Sequence, residues 1–135
     1  MAVVDSSVWV EFFRPGTPAE VRRLVETHVR ARDVVLCEPV VFEILRAAPA
    51  VQRPKIEQLF SLLPVLATPA GLWRDAGRLG QKCVREGLGV GAMDLLIAQV
   101  CRHHGVALVT LDRQFEQIAR VAGLDVYVLD RAAKI

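Results

Sequence analysis

The chain has 135 residues, of which 53% are hydrophobic and 24% charged, and its formal net charge is +2. This length suits one compact domain over residues 1–135, and the hydrophobic fraction excludes a disordered chain. The nearly neutral charge permits nucleic acid as a partner but does not argue for it.

Targeting and compartment follow from a few local features. An acid interrupts the first apolar run, so we expect no signal peptide. Prolines break the longest uncharged stretch, so we expect no transmembrane helix. The three cysteines are scattered without the spacing of a zinc site or a disulfide framework, which is typical of thiols in a reducing cytosol. The sequence therefore predicts a cytoplasmic protein.

The first half of the chain alternates short apolar runs with amphipathic segments. Residues 2–6 predict a strand that ends in an acid, followed by a short helix that stops at Pro15 and Gly16. Thr17 and Pro18 have the pattern of a cap and a first helical residue. The elements predicted from there are a helix over 17–32, a strand at 33–37, helices over 39–48 and around 51–63, and a strand at 65–68.

The second half continues the same alternation. A long helix is predicted from Pro69 to about Glu86, and glycines at 87, 89 and 91 then predict a loop. The remaining elements are a helix over 92–104 ended by Gly105, a strand at 106–110, a helix over 113–122 ended by Gly123, and a strand at 125–129. This alternation predicts an α/β fold with a parallel sheet, helices on both faces and working groups at the carboxyl ends of strands.

Four acidic residues lie beside apolar elements: Asp5 after the first strand, Glu43 inside an apolar helix, Asp94 as the one charge in 87–101, and Asp112 two residues past a strand. A buried carboxylate must be paired, protonated or bound to a metal. A divalent cation would neutralise the repulsion between converging carboxylates, lower the pKa of bound water and orient a phosphodiester. No serine has an evident histidine partner, so the pattern favours metal-dependent phosphodiester hydrolysis.

Three of these acids also have a purely structural interpretation. Asp112 could cap a helix, Asp94 could be a first-turn acid stabilised by the helix dipole, and Glu43 could pair with Arg46. Asp5 has no local capping role. One shared site explains the four acids better than four independent structural roles.

With these residues in place, the chain resembles PIN-domain ribonucleases of the VapC type, which are toxins of bacterial toxin–antitoxin pairs. The resemblance covers nearly the whole chain, in the family's order and spacing. The pieces that carry it are "VVDSSVWVEFF", "EPVVFEILRA", "VGAMDLLIAQVCRHHGVALVTLDRQFEQIA" and "GLDVYVL". The helix that carries Asp94, followed by a strand and the "TLDRQF" turn, is the most specific of these features.

The resemblance implies a PIN-like three-layer α/β/α sandwich with a mostly parallel sheet of about five strands. It implies a metal-dependent endoribonuclease in which Asp5, Asp94 and Asp112 hold Mg²⁺ or Mn²⁺. Glu43 completes the catalytic acids and would orient or deprotonate the attacking water.

The same resemblance extends to supporting residues and partners. Ser6 and Thr110 match small polar positions that support the site. The implied substrate is RNA, often tRNA or rRNA. The implied protein partners are a VapB-type antitoxin, which would reach an arginine or similar group into the acidic site, and a second copy in a homodimer.

One position departs from the family pattern. Many relatives have a further acid two residues past the position of Asp112, where this chain has Gln114. The number of metals is therefore open. Glu116 could partly compensate, although helical geometry points it elsewhere.

Other function classes fit less well. A phosphatase of the haloacid-dehalogenase type needs a second aspartate two residues after the first, where Ser7 is found. A nucleotide-binding Rossmann-like module needs a glycine-rich loop after the first strand. The remaining alternative is a non-catalytic PIN-like module that binds RNA or protein, although such a module would usually have lost one of the acids.

Several surface features keep two interpretations. The arginines on or beside the helix at 17–32 form either a solvated face or an RNA footprint. Trp9 and Phe13, four residues apart, either pack in the core or line a groove for a partner helix. Trp73 is expected in the core or a dimer contact rather than in a base-stacking platform.

Overall fold

A computed structural model describes residues 1–131. That range contains five strands and seven helices. None of these helices is long and apolar enough to cross a membrane. The strands are β1 (Ala2–Val4), β2 (Val34–Cys37), β3 (Val65–Leu66), β4 (Ala107–Thr110) and β5 (Val126–Val128). The helices are α1 (Ser6–Phe13), α2 (Ala19–Val29), α3 (Glu38–Ala47), α4 (Arg53–Phe60), α5 (Leu72–Arg85), α6 (Ala92–His104) and α7 (Gln114–Ala122).

The five strands form one parallel sheet in the order β3-β2-β1-β4-β5. The central strand β1 pairs with both β2 and β4, and Val4 lies opposite Val109. Parallel crossovers are right-handed, so helices before β3 and after β3 cover opposite faces of the sheet. The predicted α/β sandwich with a parallel five-stranded sheet is confirmed.

The element boundaries differ from the prediction most clearly at Thr17. Helix α2 begins at Ala19 and Thr17 does not cap it. The buried Thr17 hydroxyl instead donates to the carbonyl oxygen of Glu11 at 2.8 Å and to its Oε2 at 3.0 Å. The local pattern predicted a cap wrongly because the Thr17 hydroxyl binds Glu11, a buried residue of the preceding helix.

The core explains one of the two aromatic residues singled out on α1. Trp9 is fully buried, and its ring lies 5.1 Å from that of Phe60 and 5.9 Å from that of Phe13. Phe13 is only partly buried. Trp73 is 76% exposed, so of its two expected places the core is wrong and a dimer contact stays a prediction.

The three cysteines are free and buried. Burial raises the pKa of the Cys37 thiol to about 12 and raises the pKa of the Cys101 thiol as well. A thiol with a raised pKa forms little thiolate, so these cysteines are unreactive core residues.

Candidate active site

The sheet order creates a crevice where functional groups collect. The chain leaves β1 toward β2 on one side and leaves β4 toward β5 on the other, although β1 and β4 are neighbours. Such a switch point opens a crevice at the carboxyl ends of the two strands. Asp5 directly follows β1, Thr110 ends β4, and Asp112 lies two residues beyond it.

Asp5 is held at this crevice from two strands. Its backbone N–H donates to the carbonyl of Val109 at 2.8 Å, which extends the β1–β4 ladder by one step. Its side chain is buried, and Oδ2 accepts hydrogen bonds from the hydroxyls of Ser7 and Thr110, both at 2.8 Å. These two bonds satisfy a buried carboxylate oxygen and fix its direction.

The two hydroxyls that hold Asp5 are themselves anchored to the turn after β4. The backbone N–H of Leu111 donates to Ser7 Oγ at 3.0 Å. The N–H of Asp112 donates to Thr110 Oγ1 at 3.0 Å. A continuous network therefore joins the Asp5 carboxylate to the backbone that carries Asp112.

Asp112 combines a structural role with a position in the site. Its Oδ1 accepts a hydrogen bond from the backbone N–H of Gln114 at 2.9 Å, at the first turn of α7. Asp112 lies one residue before Arg113, the N-cap of α7, so it binds the turn that leads into the helix rather than capping it. Within residues 1–131, Oδ2 of Asp112 has no hydrogen-bond partner and remains available.

Glu43 comes to the site from α3. Its Oε1 accepts a short hydrogen bond of 2.6 Å from the hydroxyl of Ser6, the first residue of α1. Among the described residues Glu43 makes no ion pair with Arg46, so the intrahelical pair considered from the sequence is absent.

Asp94 lies half-buried in the first turn of α6. Burial raises the pKa of its carboxyl group to about 6, and the negative charges of Asp5, Asp112 and Glu43 add to the effect in that order. The charge that appears isolated in the sequence therefore lies close enough to the other three acids to interact with them. These four side chains, Asp5, Glu43, Asp94 and Asp112, are called the acidic site below.

The donor set of the acidic site suits a hard divalent cation. In the part of the chain that the structure describes, no three His, Cys, Asp or Glu side chains form a compact ligand cage. Mg²⁺ does not require one, because it binds through one or two carboxylates and keeps several waters. Burial is the main cause of the raised pKa of Asp94 and repulsion by the other three acids adds to it; a bound cation would relieve that repulsion.

Ser7 was missed as a site residue in the sequence. Ser6 was expected to support the site, and it does bind Glu43, but the partner of Asp5 is Ser7. The available signal was a hydroxyl two residues after a strand-terminal aspartate, a spacing that lets the side chain fold back onto the carboxylate.

Glu116 and His104 do not belong to the acidic site. Glu116 is exposed and pairs with Arg113 at 3.6 Å, so it does not replace the missing acid of the acidic site. The Nε2 atom of His104 lies 2.8 Å from the carbonyl oxygen of Ala67, at the far end of α6 from Asp94.

A separate cavity of about 620 Å³ lies beside α1, α2 and α4, and none of the four acids lines it. Arg22 donates to the carbonyl of Arg14 at 2.9 Å, and the guanidinium of Arg30 lies 6.0 Å from the centre of the Phe12 ring. We call this cavity the basic–aromatic groove; its lining includes Phe12, Phe13, Arg14, Arg22, Arg30, Lys55 and Leu59.

A parallel α/β sheet with four carboxylates near its switch point is an arrangement that suits a cation and a phosphate ester. The sequence matches the family described as PIN domain over residues 2–121, and the chain belongs to that family.

Relatives place the chain more closely. It is 37% identical over 93 residues to ribonuclease VapC11 of Mycobacterium tuberculosis, a match that covers 60% of this chain and 68% of that protein. The match to VapC ribonuclease Mb1587 of Mycobacterium bovis has the same identity and coverage.

A solved structure supports the fold. The crystal structure of VapBC2 from Rickettsia felis, bound to a DNA fragment from its promoter, includes a chain that matches with a TM-score of 0.74 and 20% identity. The match covers 96% of this chain and 98% of that one.

Proposed function

We propose that this protein is a metal-dependent endoribonuclease toxin of the VapBC type. The observation that carries the proposal is the position of Asp5 and Asp112 just past the carboxyl ends of β1 and β4, with Glu43 and Asp94 close enough to interact with them. Burial is the main cause that raises the pKa of Asp94 to about 6, and the charges of the other three acids add to it. Two curated relatives, both named as VapC ribonucleases, support RNA as the substrate.

Asp5, Asp94 and Asp112 are the residues that would hold the cation, directly or through water, and we propose Mg²⁺ or Mn²⁺. When bound, such a cation neutralises the carboxylates, acidifies a bound water and orients the phosphodiester. The hydroxyls of Ser7 and Thr110 keep the Asp5 carboxylate in one orientation, which reduces the reorganisation needed on binding.

Glu43 has a different role in the proposal. The Ser6 hydroxyl binds its Oε1 and directs the carboxylate, and Oε2, which accepts no hydrogen bond from residues 1–131, would orient a water or take its proton. In-line attack of that water on the phosphorus atom would leave a 5′-phosphate and a 3′-hydroxyl.

The proposed protein partner is a VapB-type antitoxin, as in the VapBC complex from Rickettsia felis. The basic–aromatic groove offers it a surface, because Phe12, Phe13 and Leu59 supply apolar area beside four cationic side chains. We also propose that an arginine or similar cationic group of the antitoxin enters the acidic site. The proposed substrate is RNA such as tRNA or rRNA. We also propose a homodimer and a cytoplasmic location.

An RNase assay on the antitoxin-free protein tests this function. Total bacterial RNA is incubated with Mg²⁺, Mn²⁺ or EDTA, beside Asp94→Asn and the matched control Asp125→Asn. Asp125 is an exposed acid just before β5, at the opposite edge of the sheet from the acidic site.

We expect cleavage at discrete sites with metal, retained in Asp125→Asn and lost in Asp94→Asn. Absence of both cleavage and calorimetric Mn²⁺ binding in the wild-type protein would show that the chain is a non-catalytic PIN-like binding module.

A further inference from the structure

Gln114, the first residue of α7, connects two segments of the acidic site. Its side-chain Nε2 donates a hydrogen bond to the carbonyl oxygen of Gly89 at 3.1 Å. Its backbone N–H donates to Oδ1 of Asp112 at 2.9 Å. One residue thus contacts both the loop that precedes the Asp94 helix and the turn that carries Asp112.

The loop at 87–91 is bonded to α5 by the backbone N–H groups of Gly87 and Leu88 and to α7 by a solvent-exposed hydrogen bond from the side chain of Gln114. It contains three glycines, and Gly87 has a φ of +80°, so its backbone has a large conformational freedom to lose. Among the described residues, the bond from Gln114 is the only side-chain hydrogen bond to this loop. The loop leads directly into α6, where Asp94 is the third residue.

The chemistry of the amide explains why this position matters. A carboxylate at 114 would have no proton to donate to the Gly89 carbonyl and would repel it. A glutamine can donate. Compared with a carboxylate at this position, the amide offers no charged metal ligand but can tether the two loops.

We propose that Gln114 is a positioning residue that holds the 87–91 loop and thereby sets where Asp94 lies relative to Asp112. This inference rests on the proposed function of the same site. It assigns Gln114 a role in this protein's metal site that does not require it to touch the cation.

Two variants separate the tether from the missing ligand. Gln114→Ala removes the donor, and Gln114→Glu keeps the size but replaces the donor with a carboxylate. Gln117→Ala and Gln117→Glu are the matched controls, because Gln117 is an exposed glutamine on the same helix without a bond to the loop.

The first readout is hydrogen–deuterium exchange of residues 86–93 in the metal-free protein at neutral pH. We expect faster exchange there in both Gln114 variants, with the rest of the chain and the melting temperature close to those of the Gln117 controls. The second readout is Mn²⁺ binding followed by electron paramagnetic resonance. We expect Gln114→Ala to weaken Mn²⁺ binding by less than the roughly 10-fold typical of losing a direct partner of a metal ligand, because its side chain acts through the loop.

Unchanged exchange of the loop in Gln114→Ala would overturn the proposal. Wild-type exchange in Gln114→Glu together with tighter Mn²⁺ binding would also overturn it, because Gln114 would then be only a lost ligand. The exchange measurement needs neither metal nor RNA. It therefore tests whether Gln114 holds the loop even if the wild-type protein neither binds Mn²⁺ nor cleaves RNA. That second outcome would instead refute the proposed function.

Discussion

Asp5 and Asp94 belong to the same acidic site, but their surroundings differ. Asp5 is buried and accepts two hydroxyl hydrogen bonds within a network that spans β1 and β4. Asp94 is half-buried and accepts no side-chain hydrogen bond from any residue between 1 and 131, and burial and three neighbouring acids raise the pKa of its carboxyl group. One carboxylate is built into the fold, whereas the other destabilises the fold when it is ionised.

This difference separates binding from folding. A residue such as Asp5 contributes to stability and to the geometry of the site at once, because its partners are protein hydroxyls. A residue such as Asp94 gains a favourable partner only when a cation is present. In the metal-free protein the ionised form of Asp94 is therefore disfavoured, mainly by burial and also by repulsion, and cation binding would offset this penalty.

The largest expected effect is on RNA cleavage, where the two residues should behave alike. Asp5→Asn and Asp94→Asn should each lower the initial cleavage rate at least about 100-fold, because each removes part of the charge that holds the cation. Initial rates with Mg²⁺ and a defined RNA measure this. Near wild-type activity in Asp5→Asn would make Asp5 a structural residue only.

The hydroxyl network gives the next largest effect. Thr110→Val keeps the shape of a fully buried side chain but removes the donor to Asp5 and the acceptor for the Asp112 N–H. We expect Mn²⁺ affinity to fall about 10- to 100-fold. Calorimetry beside Thr27→Val, whose exposed hydroxyl bonds only to the Arg23 carbonyl, provides the comparison. Equal affinities in the two variants would show that the network does not orient Asp5.

Substitutions of the two acids should change the free energy of unfolding in opposite directions. In EDTA at neutral pH, Asp5→Ala should lower the free energy of unfolding by about 1–3 kcal/mol, because two hydroxyls lose their acceptor. Asp94→Asn should raise it by no more than about 1 kcal/mol, because partial exposure screens the repulsion. Denaturant titration measures both values. A destabilised Asp94→Asn protein would contradict the claim that ionised Asp94 lowers the stability of the fold.

The smallest effect is a dependence of stability on pH. The pKa of Asp94 is about 6 in the folded protein and 3.8 in its ordinary state. Between those pH values the folded protein keeps a proton that the unfolded chain has lost. The contribution of this group to the free energy of unfolding therefore falls as pH rises through that window.

Thermal melts of the metal-free protein across this pH range test the dependence against Asp94→Asn, in which this contribution should be absent. Identical pH profiles for the two proteins would assign the dependence to other groups.

Much of the fold was predictable because its signals are local. Gly105 and Gly123 end α6 and α7 with φ of +64° and +68°, a conformation that glycine adopts without a steric cost. The alternation of apolar strands with amphipathic helices predicted the parallel sheet. Thr17 was misassigned because its partner, Glu11, belongs to another helix.

For the acidic site, the sequence alone determined the candidates and their order. Acids beside apolar runs stand out because an ionised side chain there needs a partner. Periodicity and capping patterns reach only a few residues along the chain, so they also determined which element carries each acid. The assignment of metal and catalytic roles to these acids stays a prediction.

The tertiary structure alone decided how these residues meet. The β1–β4 pairing brings Thr110 to Asp5 across 105 positions, and the packing of α7 brings Gln114 to Gly89 across 25. It also brought Ser6 to Glu43 across 37 positions, whereas the bond between Ser7 and Asp5 is local. Such contacts depend on sheet register and helix packing, which no short stretch of sequence encodes because both arise from burial of the whole core.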